Sequence, residues 1–419
     1  MAREAPLSAR QFAQVAIIGA GPAGAVAASL LQQQGVQVTV LEKSRFPRFS
    51  IGESLLPACM DIIARTGVLD SVNNACFQPK DGATFSRNGQ QFSFDFHDKF
   101  SAGPATTFQV KRAPFDQLLA DHASSLGATI RYQHEVEQVD VDPKRPVLSV
   151  LDESGQSYEL ETDFILDASG SGRVLPRLLG LLQPSQVPPR KSLFTHIDGV
   201  GPSEEFDRNK VLIAVHPESA DTWYWLVPFS DGTCSFGVVA EPEWFEGYPD
   251  DPVDALRQFA SEEPTLSTLL EGAQYPNRVG ELVGFAASAR PLYTDRFALL
   301  GDAGEFLDPV FSSGITIAMK SAELASDLLV RQFRGESVDW EQDFVDALRT
   351  GVETFRCYVE GWYSGELQDV IFHQDPEPTI KAMVCSILAG YAWDTNNPYV
   401  AQPRRRLSVL AEMCRLTAG

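Results

Sequence analysis

Val15-Ala16-Ile17-Ile18 is an uninterrupted apolar run, and it reads as a strand covered on both faces. Gly19-Ala20-Gly21-Pro22-Ala23-Gly24 follows, then an Ala-rich stretch over 25–34 without breakers, then a second apolar run at 36–41 that closes on Glu42. Strand, helix and strand in that order predict a βαβ unit with parallel pairing. Phe92, Phe94 and Phe96 alternate with polar residues within 85–100, the period of strands with one wet face. Phe115, Leu118, Leu119 and Ala123 keep helical spacing over 114–126, and strands are predicted at 129–136, 147–152 and 158–166. Residues 190–285 are strand-rich, apart from an acidic Pro/Gly segment at 241–252 and a helix at 253–259. A strand at 297–300 then runs into Gly301-Asp302, a helix without breakers covers 315–334, and the rest is mostly helical, with Phe344, Leu348 and Phe355 among its apolar positions.

This alternation predicts an α/β fold with one discontinuous Rossmann-like domain, built from 1–80, 105–183 and 286–335. An inserted antiparallel β-sheet substrate domain takes 81–104 and 184–285, entered across a Pro-flanked crossing at 184–189. A C-terminal helical region takes 336–419. No internal repeat or low-complexity tract interrupts the plan.

Composition narrows the partners. The 419 residues carry 34 Lys and Arg against 56 Asp and Glu, a formal charge of −22, which argues against nucleic acid or an anionic membrane surface. No apolar run approaches ~20 residues, so no integral membrane association is expected; the polar start at 1–12 has no signal-like apolar core. Six scattered cysteines without a C-x-x-C and six histidines without ligand spacing predict reduced thiols, no metal and a cytoplasmic location.

The first βαβ unit carries a dinucleotide fingerprint in the context that gives it meaning. Gly19 makes the tight turn, Gly21 lets the backbone approach a pyrophosphate, and Gly24 lets the helix sit close to the sheet. Glu42 is placed to accept bonds from ribose hydroxyls. The second stretch of interest runs from Gly301 through Asp302, Asp308-Pro309 and Phe311-Ser312-Ser313-Gly314-Ile315. A helix starting after this turn offers free N–H groups and a positive dipole end to an anion or electron-rich atom, although a Gly-Asp turn is also ordinary punctuation.

On these residues the chain resembles FAD-dependent enzymes of the para-hydroxybenzoate hydroxylase fold, and within them flavin-dependent halogenases and their relatives. The general part of the likeness is Gly19 to Gly24 with Ala23, Glu42, Gln109 with Arg112, and Gly301-Asp302. It implies FAD as cofactor, with Glu42 at the adenosine ribose, Arg112 near the FAD and Asp302 at the ribityl chain. The narrower part is Phe46-Pro47-Arg48-Phe49-Ser50-Ile51-Gly52-Glu53-Ser54, which resembles the segment beside the flavin, and Lys80, which occupies the place of the halogenases' active-site lysine. Trp223-Tyr224-Trp225-Leu226-Val227-Pro228 matches W-x-W-x-[IV]-P, and Ser312-Ser313-Gly314-Ile315 resembles the turn where halide binds. The resemblance thus implies cofactor contacts from Arg48, Ser54, Arg112, Asp302, Gly314 and Ile315, halide on the backbone of Ser313 and Gly314, and chemistry at Lys80, Ser312, Trp223 and Trp225. Read from the residues alone, Lys80 is equally a surface lysine, the two Trp are core fillers, and Arg48 and Arg112 are salt-bridge partners. Cys59 and Cys76 lack an activating neighbour.

Two departures matter. Hydroxylases of this fold commonly carry Asp-Gly where this chain has Ser169-Gly170, which disfavours nicotinamide-driven single-component hydroxylation. Tryptophan halogenases place a glutamate just before the Ser of the halide turn, and here that position is Phe311. The expected activity is halogenation of an electron-rich small aromatic, a phenol or pyrrole in some cases held on a carrier protein. It would use O2, halide and FADH2 from a separate flavin reductase. An aromatic hydroxylase and a geranylgeranyl-reductase-like flavoprotein are the alternatives.

Overall fold

A computed structural model of the protein describes residues 10–142, 144–184, 188–200 and 206–417. The polar start at 1–9 and positions 185–187 of the expected crossing lie outside the described residues. Two seven-stranded sheets organise the chain. In the first, Gln11–Ile18 pairs in parallel with Val38–Glu42 on one side and Ser157–Asp167 on the other. Thr129–Tyr132 extends one edge in parallel, Phe297–Leu299 pairs in parallel with Ser157–Asp167, and Val147–Leu151 and Glu135–Asp140 complete the sheet antiparallel. Segments far apart in sequence therefore meet in one sheet. The crossover after the first strand is the helix Pro22–Gln33, whose first ten residues are all buried; small side chains let it lie close against the strands.

The second sheet runs in the order Gly280–Val283, Lys191–Ile197, Cys234–Ala240, Ser219–Pro228, Lys210–His216, Gly82–Arg87 and Gln90–Asp95. Most of its pairs are antiparallel, but Lys210–His216 and Gly82–Arg87 run parallel. Alternation sorts its two faces. Leu212, Tyr224, Leu226 and Phe236 pack beneath the helices Pro252–Glu262 and Pro264–Leu269, forming a satellite core. Ile213, Trp223, Trp225 and Phe194 face the other way and join the main core. The short strand Gln78–Lys80 leads into this sheet and pairs with Thr107–Gln109.

The helical tail is built into that main core. A π-helical turn at Glu341–Asp346 leads into Ala347–Ser364, and Phe355, Tyr358 and Trp362 of this helix are buried in the same cluster as Trp223 and Phe311. Later turns fasten onto the segments around Lys80: Ala58 N–H donates to Ala389 C=O, and Ser101 N–H to the Ser386 hydroxyl.

Candidate active site

The fingerprint glycines are required by contact. Gly19 has φ +96°, and a Cβ there would lie 2.6 Å from Ala168 C=O; at Gly24 it would lie 1.9 Å from the carbonyl of Gly19. At Gly21 an added Cβ would meet only the Arg48 guanidinium, at 3.5 Å, so the backbone here is open to a ligand. Ala23, just inside the helix, is buried. The Glu42 carboxylate ends its strand buried, accepting from Ala20 N–H at 2.9 Å and Ser44 N–H at 2.8 Å. Across the sheet, burial pushes the Asp302 carboxyl up to about 6, against the pull of Arg112 and Arg173. Arg173 Nε and Thr316 Oγ1 are buried without a hydrogen-bond partner among the described residues. An open glycine turn and polar atoms awaiting partners fit a bound dinucleotide.

Arg48 and Arg112 converge on one carboxylate. Asp116 is fully buried, takes a bidentate pair from Arg112 at 2.8 and 2.9 Å, and stands 3.1 Å from Arg48. Arg112 also donates to Ile51 C=O at 2.7 Å, which ties the segment 46–54 to the helix Arg112–Ser125. Both arginines are thus salt-bridge partners, and each also borders the open turn or the 46–54 segment.

Lys80 is not a surface lysine. It is 1% exposed, and its ammonium donates to the Ser54 hydroxyl at 2.7 Å and Leu55 C=O at 2.8 Å. Burial pushes it down to about 7, with nearby Cys59 pulling weakly the other way. A lysine with that pKa carries a lone pair in much of its population at neutral pH.

Trp223 and the serine turn are joined through Tyr363, a residue the sequence did not flag. Trp223 Nε1–H donates to the Tyr363 hydroxyl at 3.0 Å, and Tyr363 donates to Asp308 Oδ2 at 2.8 Å. Burial raises the Asp308 carboxyl to about 6, offset by Val310 N–H, Tyr363 and Arg190. Trp225 donates to the Ser235 hydroxyl at 3.1 Å and lies over Gly237, where a Cβ would come within 2.4 Å of the indole. Ser312 holds φ +57°, a strained turn for a residue with a side chain. Ser313 then caps Gly314–Phe333 without a side-chain bond, leaving first-turn N–H groups available. Phe311 is buried, edge-on to Tyr358 and Trp362 with centroids at 6.4 and 5.9 Å. No hydrogen bond among the described residues joins Lys80 to Ser312 or Ser313.

A model of the FAD binding domain family matches residues 12–352. A crystal structure of a flavoprotein/dehydrogenase from Cytophaga hutchinsonii is 42% identical with a TM-score of 0.94, over 98% of this chain and 100% of that one. The flavin-dependent halogenase CmlS is 30% identical with a TM-score of 0.76, over 89% of this chain and 67% of that one. This chain belongs to the flavin-dependent halogenase family. Among curated relatives, a 1H-pyrrole-2-carbonyl-[peptidyl-carrier protein] chlorinase of Pseudomonas fluorescens is 27% identical over 97% of this chain and 93% of that one.

The protein is thus an FAD-dependent oxidoreductase of the halogenase and monooxygenase type. Arg48 and Arg112 are held by Asp116, and Trp223 by Tyr363 and through it Asp308. Asp308 stood inside the serine-turn stretch, but its partner lies 55 residues further on, and no spacing rule links them. The six cysteines are free thiols, and among the described residues no helix is long and apolar enough to cross a membrane.

Proposed function

We propose that this flavoprotein transfers halogen to an electron-rich ring, a pyrrole or phenol presented on a carrier protein, with reduced FAD supplied by a separate reductase. The observation that carries the reading is Lys80: a fully buried amine, brought to about 7 by burial and held by Ser54 and Leu55, in a member of the halogenase family. The pyrrole-carrier chlorinase supports the substrate class. Need for a reductase, together with free thiols, supports a cytoplasmic location.

In this reading the turn Gly19 to Gly24 with Ala23, and Glu42, hold the adenosine half of FAD. Arg48, Ser54, Arg112, Asp302, Gly314 and Ile315 border the other half. When bound and reduced, FAD supplies the electrons that let dioxygen oxidise halide to hypohalous acid. The backbone N–H groups of Ser313 and Gly314 hold halide at the positive end of the helix, with Ser312 setting the turn. Lys80 in its neutral form accepts a hydrogen bond from hypohalous acid and directs its halogen to the ring. Trp223 and Trp225 wall the ring off from the flavin, which suppresses direct oxygen transfer. The domain division proposed for this chemistry is a nucleotide domain over 1–80, 105–183 and 286–335, a substrate sheet over 81–104 and 184–285, and a helical wall over 336–419.

The deciding experiment supplies the protein with reductase-generated FADH2, oxygen and bromide or chloride against a phenol and pyrrole panel, free and carrier-bound. Halogen isotope patterns in product are expected. Hydroxylated product without halogen would overturn the reading in favour of an aromatic hydroxylase.

A further inference from the structure

Glu53 and His196 belong to none of the roles assigned above, yet they join the 46–54 segment to the substrate sheet. Glu53 precedes Ser54 in the segment tied to Arg112, and His196 lies on the substrate sheet. His196 Nε2 stands 2.6 Å from Glu53 Oε1. The Glu53 side chain is only 2% exposed and that of His196 is 16%. Glu53 Oε2 is buried with no hydrogen-bond partner among the described residues. A carboxylate serving packing alone is normally saturated.

The pair sits within a run of contacts from Lys80 to the Trp motif. Lys80 donates to Ser54, next to Glu53. His196 is directly opposite Ser235 on the neighbouring strand, and Ser235 accepts from Trp225. Phe49 and Phe229 flank the imidazole, with centroids at 5.5 and 5.1 Å. Phe194, two residues before His196 and so on the same face, stands 6.1 Å from the Trp225 ring.

We propose that His196, oriented by Glu53, is the base that takes the proton an aromatic ring loses when it is halogenated. The proposal rests on the halogenase reading. A π pair of the ring forms the carbon–halogen bond while the halogen–oxygen bond of hypohalous acid breaks and hydroxide leaves. The imidazole takes the ring proton, and the C–H pair restores aromaticity. Passing that proton to hydroxide gives water, so the ring C–H and hypohalous acid become carbon–halogen and water. Glu53 sets the tautomer: with the proton on Nε2 facing the carboxylate, Nδ1 keeps the lone pair the step needs. Phe311, buried against Tyr358 and Trp362, has no atom that accepts a proton.

Two measurements test this. In the free protein, imidazole ¹⁵N NMR is expected to show the His196 proton on Nε2, shifting to a tautomer mixture in Glu53→Gln. A proton fixed on Nδ1 would overturn the proposal. In turnover with reduced FAD, oxygen and bromide, the probe is whichever ring-deuterated phenol or pyrrole the wild type brominates. His196→Gln fills the same space but accepts no proton, so the rate should fall about 10²-fold and a primary isotope effect should emerge. With flavin absorbance showing FAD retained, an isotope effect equal to the wild type's would overturn it. If His196→Gln fails to retain FAD, His196→Asn and Glu53→Gln read the same isotope effect. A wild type that brominates nothing overturns the halogenase reading itself, and the NMR result then stands apart from it.

Discussion

The indole N–H of Trp223 donates to the hydroxyl of Tyr363 at 3.0 Å, which fastens the substrate sheet to the helix Ala347–Ser364. Tyr363 in turn donates its own O–H to Asp308 beside the serine turn, so one hydroxyl joins two motifs. Tyr363→Phe removes that link and leaves a buried indole N–H and a buried carboxylate short of a partner. A loss of roughly 2–4 kcal/mol is expected for two such groups, to be read by urea denaturation. A variant as stable as the wild type would show that water replaces the hydroxyl without penalty.

Lys80→Ala is expected to consume oxygen from reduced FAD while making no halogenated product, and Lys80→Arg to do the same, since a guanidinium stays charged. Product formation at the wild-type rate in the alanine variant would remove Lys80 from the chemistry.

The pH dependence follows from the sign of the Lys80 shift. Burial disfavours the ammonium, so the amine loses its proton near 7 rather than 10.5. Halogen transfer needs the lone pair, so its rate should rise through about pH 7 to a plateau and fall below it. Folding shows the same sign: the unfavourable burial of charge is fully felt below 7 and is relieved as pH rises toward 10.5. A transfer rate flat between about pH 6 and 8, roughly one unit either side of the Lys80 value, would contradict this.

Gly24→Ala should destroy FAD binding. The new Cβ would sit 1.9 Å from the Gly19 carbonyl, and backbone cannot step aside as a side chain can. Gly247→Ala meets nothing within 4 Å and serves as the tolerated control. The flavin absorbance of the two purified proteins after loading with FAD gives the answer.

Substrate choice turns on Phe311. No carboxylate stands at that position to polarise a ring of low nucleophilicity, so the ring must bring its own activation. Free tryptophan competing with a phenol or pyrrole should be left unreacted. Preferential halotryptophan would refute the assignment.

A nicotinamide site is not expected on this chain, since it has one dinucleotide fingerprint and Ser169-Gly170 in place of Asp-Gly. Stopped-flow mixing of the FAD-loaded protein with NADPH should leave the flavin oxidised until a reductase is added. Rapid bleaching without reductase would contradict a two-component system.

Local rules were enough to read the nucleotide domain, because strand, glycine turn and helix are neighbours in the chain and each is set by short-range sterics. Gly24 had to be glycine for a reason visible within six residues, and the parallel run 15–18 announced its burial. The helix Pro264–Leu269, by contrast, escaped notice because six residues hold too few apolar positions to show a period. Whether Lys80 was buried, whether Trp223 faced the serine turn, and which carboxylates held the arginines were matters only the tertiary structure decided. Each depends on partners brought together by sheet pairing and by the packed tail: Ser54 lies 26 residues from Lys80 and Tyr363 lies 140 from Trp223. Sequence alone determined which chemical groups were present and the elements that carry them. Burial, which turns an ordinary lysine into an amine with a free lone pair, is a property of the packed core and exists only once the chain has folded around it.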